Sequence, residues 1–364
     1  MTATHLYHSW NEKLRHICVG ENKARLRTFA WMMVGMLMSQ SVHLSHIARK
    51  IPSVGQQTSI VKRLSRLLQN SALRVREWYS PVATELLQEV IASGQGVRLI
   101  IDGTKIGGGH RLLMVALAYR RRSLPIAWTW VKGSRGHSLA TTQCALFAYI
   151  RTLLPEGANV SVVGDSEFGS VELMRHFNQW GWVYVLRQKG RISLCAQASE
   201  MWQRLDSLVQ QPGQSVWLED VRFTQRFAFP VNLLAYWQPG QKHPWLLATN
   251  LVTAQQTLTA YRRRMWIEEM FADFKQHGFD LESTHLRHFL RLSRLTLLVA
   301  LLYLWCIAFG SSVIKRGLRY LVDRSDRRDL SIFRIGHDMI QRFLTNGNAF
   351  SIRLLPYFQK LYGS

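Results

Sequence analysis

Three carboxylates define the chemistry this sequence can do. Asp102 follows the apolar run Leu99-Ile100-Ile101, Asp165 follows Val162-Val163-Gly164, and Glu268 lies in a stretch with helical periodicity. Two strand-end Asp and a helix-borne Glu are the hard oxygen donors that Mg2+ takes, and paired Mg2+ ions serve in-line displacement at phosphorus. Three anions brought together also repel, a cost that a divalent cation relieves. Taken singly, either Asp could merely cap a turn.

The helix that carries Glu268 is expected to open at Thr253, where Gln256 completes a capping box, and to run to about His277. At ~100° per residue, Tyr261, Arg264, Glu268 and Lys275 share an arc of roughly 60°. Ile267, Met270, Phe271 and Phe274 take the opposite face, which buries that side and aims the polar stripe outward. Glu269 falls off the stripe. A solvated helix face can carry Glu and Lys by chance, so the stripe gains meaning only beside the two strand carboxylates.

The chain that must position these groups has 364 residues, of which 47% are hydrophobic and 13 are Trp. That excludes wholesale disorder and allows a large core in more than one domain. Its 46 Lys and Arg against 23 Asp and Glu give a formal charge of +23, the signature of a polyanion partner, with nucleic acid the first candidate. Cys18, Cys144, Cys195 and Cys306 form no C-x-x-C pair, so neither a zinc ribbon nor a disulfide framework is indicated. The N-terminus lacks the basic and apolar regions of a secretory signal, and a cytoplasmic location is expected. Leu295 to Ile314 is an uncharged run long enough to span a bilayer. Its Thr296, Gly310, Ser311 and Ser312, and the lack of a second such run, favour a buried core helix and no membrane partner.

Residues 1–95 read as a helical, basic region. Within it Leu44 to Lys50, a break at 51–55, and Thr58 to Leu68 resemble a helix-turn-helix that presents Lys62, Arg63 and Arg66 to DNA; a plain helical hairpin with a solvated basic face fits as well. Residues 96–190 follow the order β-β-β-α-β-α-β, that of a ribonuclease H-like mixed sheet in the α/β class. Residues 191–250 turn β-like and read as an insertion. Residues 251–314 hold the Glu helix and the apolar helix, and 315–364 read as a helical, basic C-terminal region.

These residues carry a family resemblance. Asp102, Asp165 and Glu268, with Tyr261-x2-Arg264-x3-Glu268-x6-Lys275, resemble the DDE transposases of bacterial insertion sequences, in the subgroup with a Y-x2-R-x3-E-x6-K signature. The resemblance covers roughly Val97 to Val313, and the 103 positions from Asp165 to Glu268 leave room for that subgroup's inserted β region. It implies that Asp102, Asp165 and Glu268 bind two Mg2+ ions, with Mn2+ as a substitute, and that Tyr261, Arg264 and Lys275 grip phosphates near the cleaved end. Trp245 in Pro244-Trp245-Leu246-Leu247-Ala248-Thr249 looks like the residue that receives a flipped base, although a core Trp fits the same pattern. The implied activity is cleavage at terminal inverted repeats through a DNA hairpin and transfer of the 3′-ends to target DNA. The implied partners are transposon-end and target duplexes, with a homodimer in the synaptic complex. The alternative is a catalytically silent, transposase-derived DNA-binding protein or repressor.

Overall fold

The computed structural model describes residues 3–107, 109–133, 138–197, 199–349 and 351–359; residues 1–2, 108, 134–137, 198, 350 and 360–364, which the regions outlined above include, lie outside the described residues. Five helices open the chain: α1 (Ala3–Ile17), α2 (Lys23–Ser39), α3 (Leu44–Arg49), α4 (Gln57–Gln69) and α5 (Val75–Ala92). Asn22 starts α2 by accepting hydrogen bonds from the Ala24 and Arg25 amides at 2.9 and 3.2 Å. Helices α3 and α4 occupy the two halves of the expected helix-turn-helix. Ile60, Leu64, Leu67 and Leu68 bury one face of α4, which leaves Lys62, Arg63 and Arg66 exposed.

The catalytic half of the chain is built on β1 (Val97–Ile106), β2 (His110–Tyr119), β3 (Arg122–Lys132), β4 (Val160–Gly164) and β5 (Val183–Arg187), with α6 (Ala140–Arg151) and α7 (Val171–Gln179) as crossovers. The order across the sheet is β3-β2-β1-β4-β5. β1 and β2 pair antiparallel, as do β2 and β3, while β1, β4 and β5 run parallel. This is the ribonuclease H-like arrangement that the strand-and-helix order predicts. The six residues from Leu112 to Leu117 of β2 are all buried, as a strand covered on both faces requires. The inserted strands β6 (Ser193–Cys195), β7 (Gln203–Arg204), β8 (Ser215–Phe223), β9 (Phe229–Tyr236) and β10 (Trp245–Thr249) do not form a sheet of their own. β10 pairs antiparallel with β5 and the others follow it outward, giving a ten-stranded mixed sheet. Antiparallel strands need no crossover helix, so an insertion of this kind can extend an existing edge.

The apolar run lies within α10 (Phe289–Lys315), which is long and apolar enough to cross a membrane and is 89% buried inside the fold over its most apolar 18 residues. Its polar residues face the protein. Thr296 Oγ1 and Ser293 Oγ accept from the indoles of Trp130 and Trp128 on β3, at 3.1 and 3.2 Å. Buried Arg294 donates to the Leu68 and Leu73 carbonyls at 2.8 and 3.0 Å, which ties the end of α4 to this helix. Gly310 allows α11 (Ile332–Thr345) to cross at backbone contact: a Cβ on Gly310 would stand 2.1 Å from the Ile332 carbonyl, and one on Gly336 1.8 Å from that of Cys306.

Two expectations change. The Glu helix is not continuous from Thr253 to His277. Thr253 does cap it, accepting from the Gln256 amide at 3.2 Å, but α8 (Ala254–Tyr261) passes through a 3-10 turn at Arg262–Arg264 into α9 (Met265–Phe274). The 3-10 turn winds by ~120° per residue and shifts the phase of α9 relative to α8. The helix ends at Phe274 because the chain folds back over it; a Cβ on Gly278 would stand 2.4 Å from the Asp273 carbonyl. The C-terminal region is also not helical throughout. Beyond α11 the described residues 351–359 run without helix, with Ile352, Leu354, Pro356 and Phe358 buried alternately, a period of two that belongs to extended chain. Hydrogen bonds from Tyr119 Oη to the Tyr357 carbonyl (2.8 Å) and from the Tyr357 amide to Ser311 Oγ (3.2 Å) hold that strap to the core.

Candidate active site

Asp102 does not end its strand, since β1 continues to Ile106. What ends there is the parallel partner. Ile101 is the last β1 residue to pair with β4, opposite Gly164, so Asp102 and Asp165 follow the same pair on neighbouring parallel strands. Gly164 fits that crowded position because a Cβ would sit 3.0 to 3.2 Å from Ile101, Phe168 and Leu186. Asp102 Oδ1 accepts from the Gly103 amide at 2.7 Å, and Asp165 accepts from the Ser166 amide.

α9 supplies the third carboxylate. Ile267, Met270 and Phe274 are fully buried and Phe271 nearly so, which fixes the helix against β1 and β3 and leaves Glu268 on the open side. Asp102, Asp165, Arg264, Glu268 and Lys275 line one cleft of about 540 Å³. Arg264 bridges two of the acids, with Nη2 2.7 Å from Glu268 Oε1 and Nη1 3.4 Å from Asp102 Oδ2. Lys275, just past the end of α9, lies 3.5 Å from Glu282 Oε1 on the cleft wall.

The site's electrostatics follow from burial. Burial pushes the Asp102 carboxyl up to about 7; Arg264 and the Gly103 amide oppose that rise, while Asp165 and Glu268 add to it. Burial alone would lower the Arg264 pKa, but Tyr261, Asp102, Glu268 and Asp165 outweigh it and raise it. The carboxylate donors suit a hard divalent cation. Among the described residues, however, no three His, Cys, Asp or Glu side chains already stand close enough together to hold a metal ion. Arg264 contributes the positive charge between Asp102 and Glu268 in this arrangement.

The remaining expected residues are placed differently. Tyr261 is buried, at 2% exposure, and is not in the cleft wall; burial pushes its hydroxyl up to about 12. The expected outward stripe therefore begins at Arg264. Trp245 opens β10, half-buried, and packs edge-on against Tyr261 with ring centroids 5.1 Å apart. Lys62, Arg63 and Arg66 lie on α4, apart from the cleft.

The structure adds two residues that sequence reasoning passed over. Glu167 accepts from the amide and the hydroxyl of Ser138, both at 2.7 Å, and pairs with Arg111 Nη2 at 2.6 Å. Arg111 Nη2 in turn donates to the Gly103 carbonyl at 3.3 Å, beside Asp102. A second acid two residues after Asp165 in an acid-poor chain was the available signal; its partner Arg111 is joined to it only by the fold.

The strand order and its helices define a ribonuclease H-like enzyme fold. Residues 93–305 match the family described as the transposase DDE domain, and the chain belongs to these DDE transposases, enzymes that cleave DNA and transfer its strands. Such transposases generally use divalent metal ions. Among solved structures the chain is similar to a cryo-EM structure of a piggyBac transposase synaptic complex with hairpin DNA, at 11% identity and a TM-score of 0.46, over 98% of this chain and 83% of that one. No curated protein matches the chain.

Proposed function

We propose that this transposase binds the terminal inverted repeats of its own element, cleaves there by two-metal hydrolysis through a hairpin intermediate, and joins the 3′-ends to target DNA. The observation that supports it best is the register of Asp102 and Asp165, one residue past the pair Ile101 and Gly164, in the same cleft as Glu268. Asp102, Asp165 and Glu268 would hold two Mg2+ ions, which when bound supply the Lewis acidity that activates a water or 3′-hydroxyl and stabilises the leaving oxygen. Arg264 neutralises Asp102 and Glu268 before DNA arrives and then offers its guanidinium to a phosphate beside them. Lys275 adds a second positive charge on the same wall. Tyr261, being buried, positions Trp245 and Arg264 in preference to gripping phosphate itself. Trp245, partly buried, would offer the exposed part of its indole for stacking against an extruded base, which offsets part of the unstacking cost.

Residues 1–95 form the DNA-binding region, with Lys62, Arg63 and Arg66 on the exposed face of α4 toward the backbone. Residues 96–190 and 251–314 form the catalytic core around the insertion at 191–250, and 315–364 complete the C-terminal region. The active species is a homodimer that brings two ends together, and it works in the cytoplasm. The test is incubation of the purified protein with duplexes bearing the inverted repeats that flank its gene, with and without Mg2+ or Mn2+. Metal-dependent nicks at the repeat boundary and hairpin products are expected. Binding without cleavage would assign the chain instead to catalytically silent DNA-binding repressors.

A further inference from the structure

The hydrogen-bonded ladder between β1 and β4 stops one residue short of the carboxylates. Its last pair is Ile101 and Gly164, and β4 leaves β5 at the same point, after Gly164 and Leu186. Asp102 stays in register with Met114 on β2. Asp165 instead enters a turn, in which the Phe168 amide bonds back to the Asp165 carbonyl at 2.9 Å. Beyond Gly164 the ladder therefore no longer ties the Asp165 segment to β1.

A side-chain bridge crosses that gap. Arg111 on β2 donates from one nitrogen, Nη2, to the Gly103 carbonyl at 3.3 Å and to Glu167 Oε2 at 2.6 Å. It joins the residue after Asp102 to the second residue after Asp165. The far end of the bridge is anchored just ahead of α6, because Glu167 Oε1 accepts from the amide and hydroxyl of Ser138, both at 2.7 Å. Buried Gln143 in turn donates to the Ser138 carbonyl and hydroxyl at 3.1 and 3.0 Å. Gly103 makes room for the guanidinium, since a Cβ there would stand 2.9 Å from Arg111 Nη2.

The bridge acts from behind the cleft. Alternation along β1 puts the Cβ positions of Gly103 and Asp102 on opposite faces of the sheet, so Arg111 stands on the face away from the Asp102 carboxylate. Neither Arg111 nor Glu167 is among the described residues that line the cleft. The charged groups that shift the Asp102 carboxyl are Arg264, Asp165 and Glu268. Arg111 thus works through the backbone at Gly103 rather than by neutralising a carboxylate. An ion pair this enclosed, with side chains 16% and 10% exposed, gains little net stability over apolar residues of the same size. What it supplies is position.

We propose that Arg111 and Glu167 are positioning residues for the reaction: they set the spacing of Asp102 and Asp165, and with it the affinity of the site for divalent metal. The inference rests on the reading of Asp102, Asp165 and Glu268 as metal ligands. Partners that orient metal ligands from outside the ligand set typically change metal affinity or activity by about 10–100-fold.

The test is the double variant Arg111→Met/Glu167→Gln, which removes both charges at similar volume and leaves an amide oxygen at position 167 to accept from Ser138. Mn2+ is titrated calorimetrically into the purified protein without DNA. The Kd for Mn2+ is expected to rise about tenfold or more, while Tm without metal holds within about 2 °C. A merely structural role would move Tm and leave the Mn2+ affinity of the folded protein unchanged. The Mg2+ concentration for half-maximal cleavage should rise by the same factor as the Kd. Gly103→Ala displaces the Arg111 guanidinium without altering any charge; it should also weaken Mn2+ binding, and it is decisive if the double variant misfolds. Asp102→Asn, titrated in parallel, tests the underlying reading: unchanged Mn2+ affinity there overturns the metal site and the bridge's role with it. Weakened binding in Asp102→Asn beside unchanged affinity in the folded double variant would overturn the positioning role alone.

Discussion

Asp102 and Asp165 each stand one residue beyond the paired Ile101 and Gly164, on neighbouring strands that run in the same direction. Parallel register brings their backbones side by side without any contact between the two carboxylates being needed to hold them. The cost of their proximity is carried by a sheet buried on both faces.

Arg264 relieves part of that cost, and its removal should show it. In Arg264→Gln the carboxylates lose their common cation, so the metal-free protein is expected to melt about 2 °C lower, on the order of 1–2 kcal/mol. Added Mg2+ should then raise Tm more in the variant than in the unaltered protein, while cleavage falls by about two orders of magnitude. Calorimetry with and without Mg2+ checks this; an equal Mg2+ shift in both proteins would show that Arg264 does not substitute for the cation's charge.

Asp273 makes stability depend on pH near neutrality. Burial pushes its carboxyl up to about 7 although Arg122 lies 2.9 Å away, whereas the unfolded group titrates near 3.8. The folded state therefore binds this proton more tightly. The contribution of the protonated form is complete below pH 3.8 and is lost as pH rises through 7. Asp273→Asn mimics the protonated side chain, so its Tm should vary less than that of the unaltered protein across this window. Parallel Tm profiles would assign the pH response to other groups.

The crossing of α10 and α11 should tolerate no side chain at Gly336, where a Cβ would stand 1.8 Å from the Cys306 carbonyl. Gly336→Ala is expected to cost about 3 kcal/mol, because the obstructing atom is backbone and cannot rotate away. Chemical denaturation measures the change; a loss below about 1 kcal/mol would mean that the two helices separate easily.

Much of this was legible in the sequence because local patterns carried it. The run Leu99-Ile100-Ile101 before Asp102 and the Val-Val-Gly before Asp165 marked two core strands, and the spacing from Tyr261 to Lys275 marked the Glu helix; that the two strands are neighbours comes from the fold. The 3-10 turn at Arg262–Arg264 was hidden, since three consecutive arginines fit either helix type and burial of Tyr261 on one side and Ile267 on the other decides the winding. The strap at 351–359 was missed because its period of two covers only four buried positions, Ile352, Leu354, Pro356 and Phe358. The link from Glu167 through Arg111 to Gly103 spans separate strands, and no sequence spacing encodes it.

The central claim is that Asp102, Asp165 and Glu268 act as one metal-dependent catalytic set. Its most direct test is Mg2+-dependent cleavage of a terminal-repeat duplex by Asp102→Asn, Asp165→Asn and Glu268→Gln, with binding to the same duplex measured in Ca2+. Each variant is predicted to lose cleavage by at least about a thousandfold while keeping its affinity for DNA. Undiminished nicking by all three variants would contradict the account.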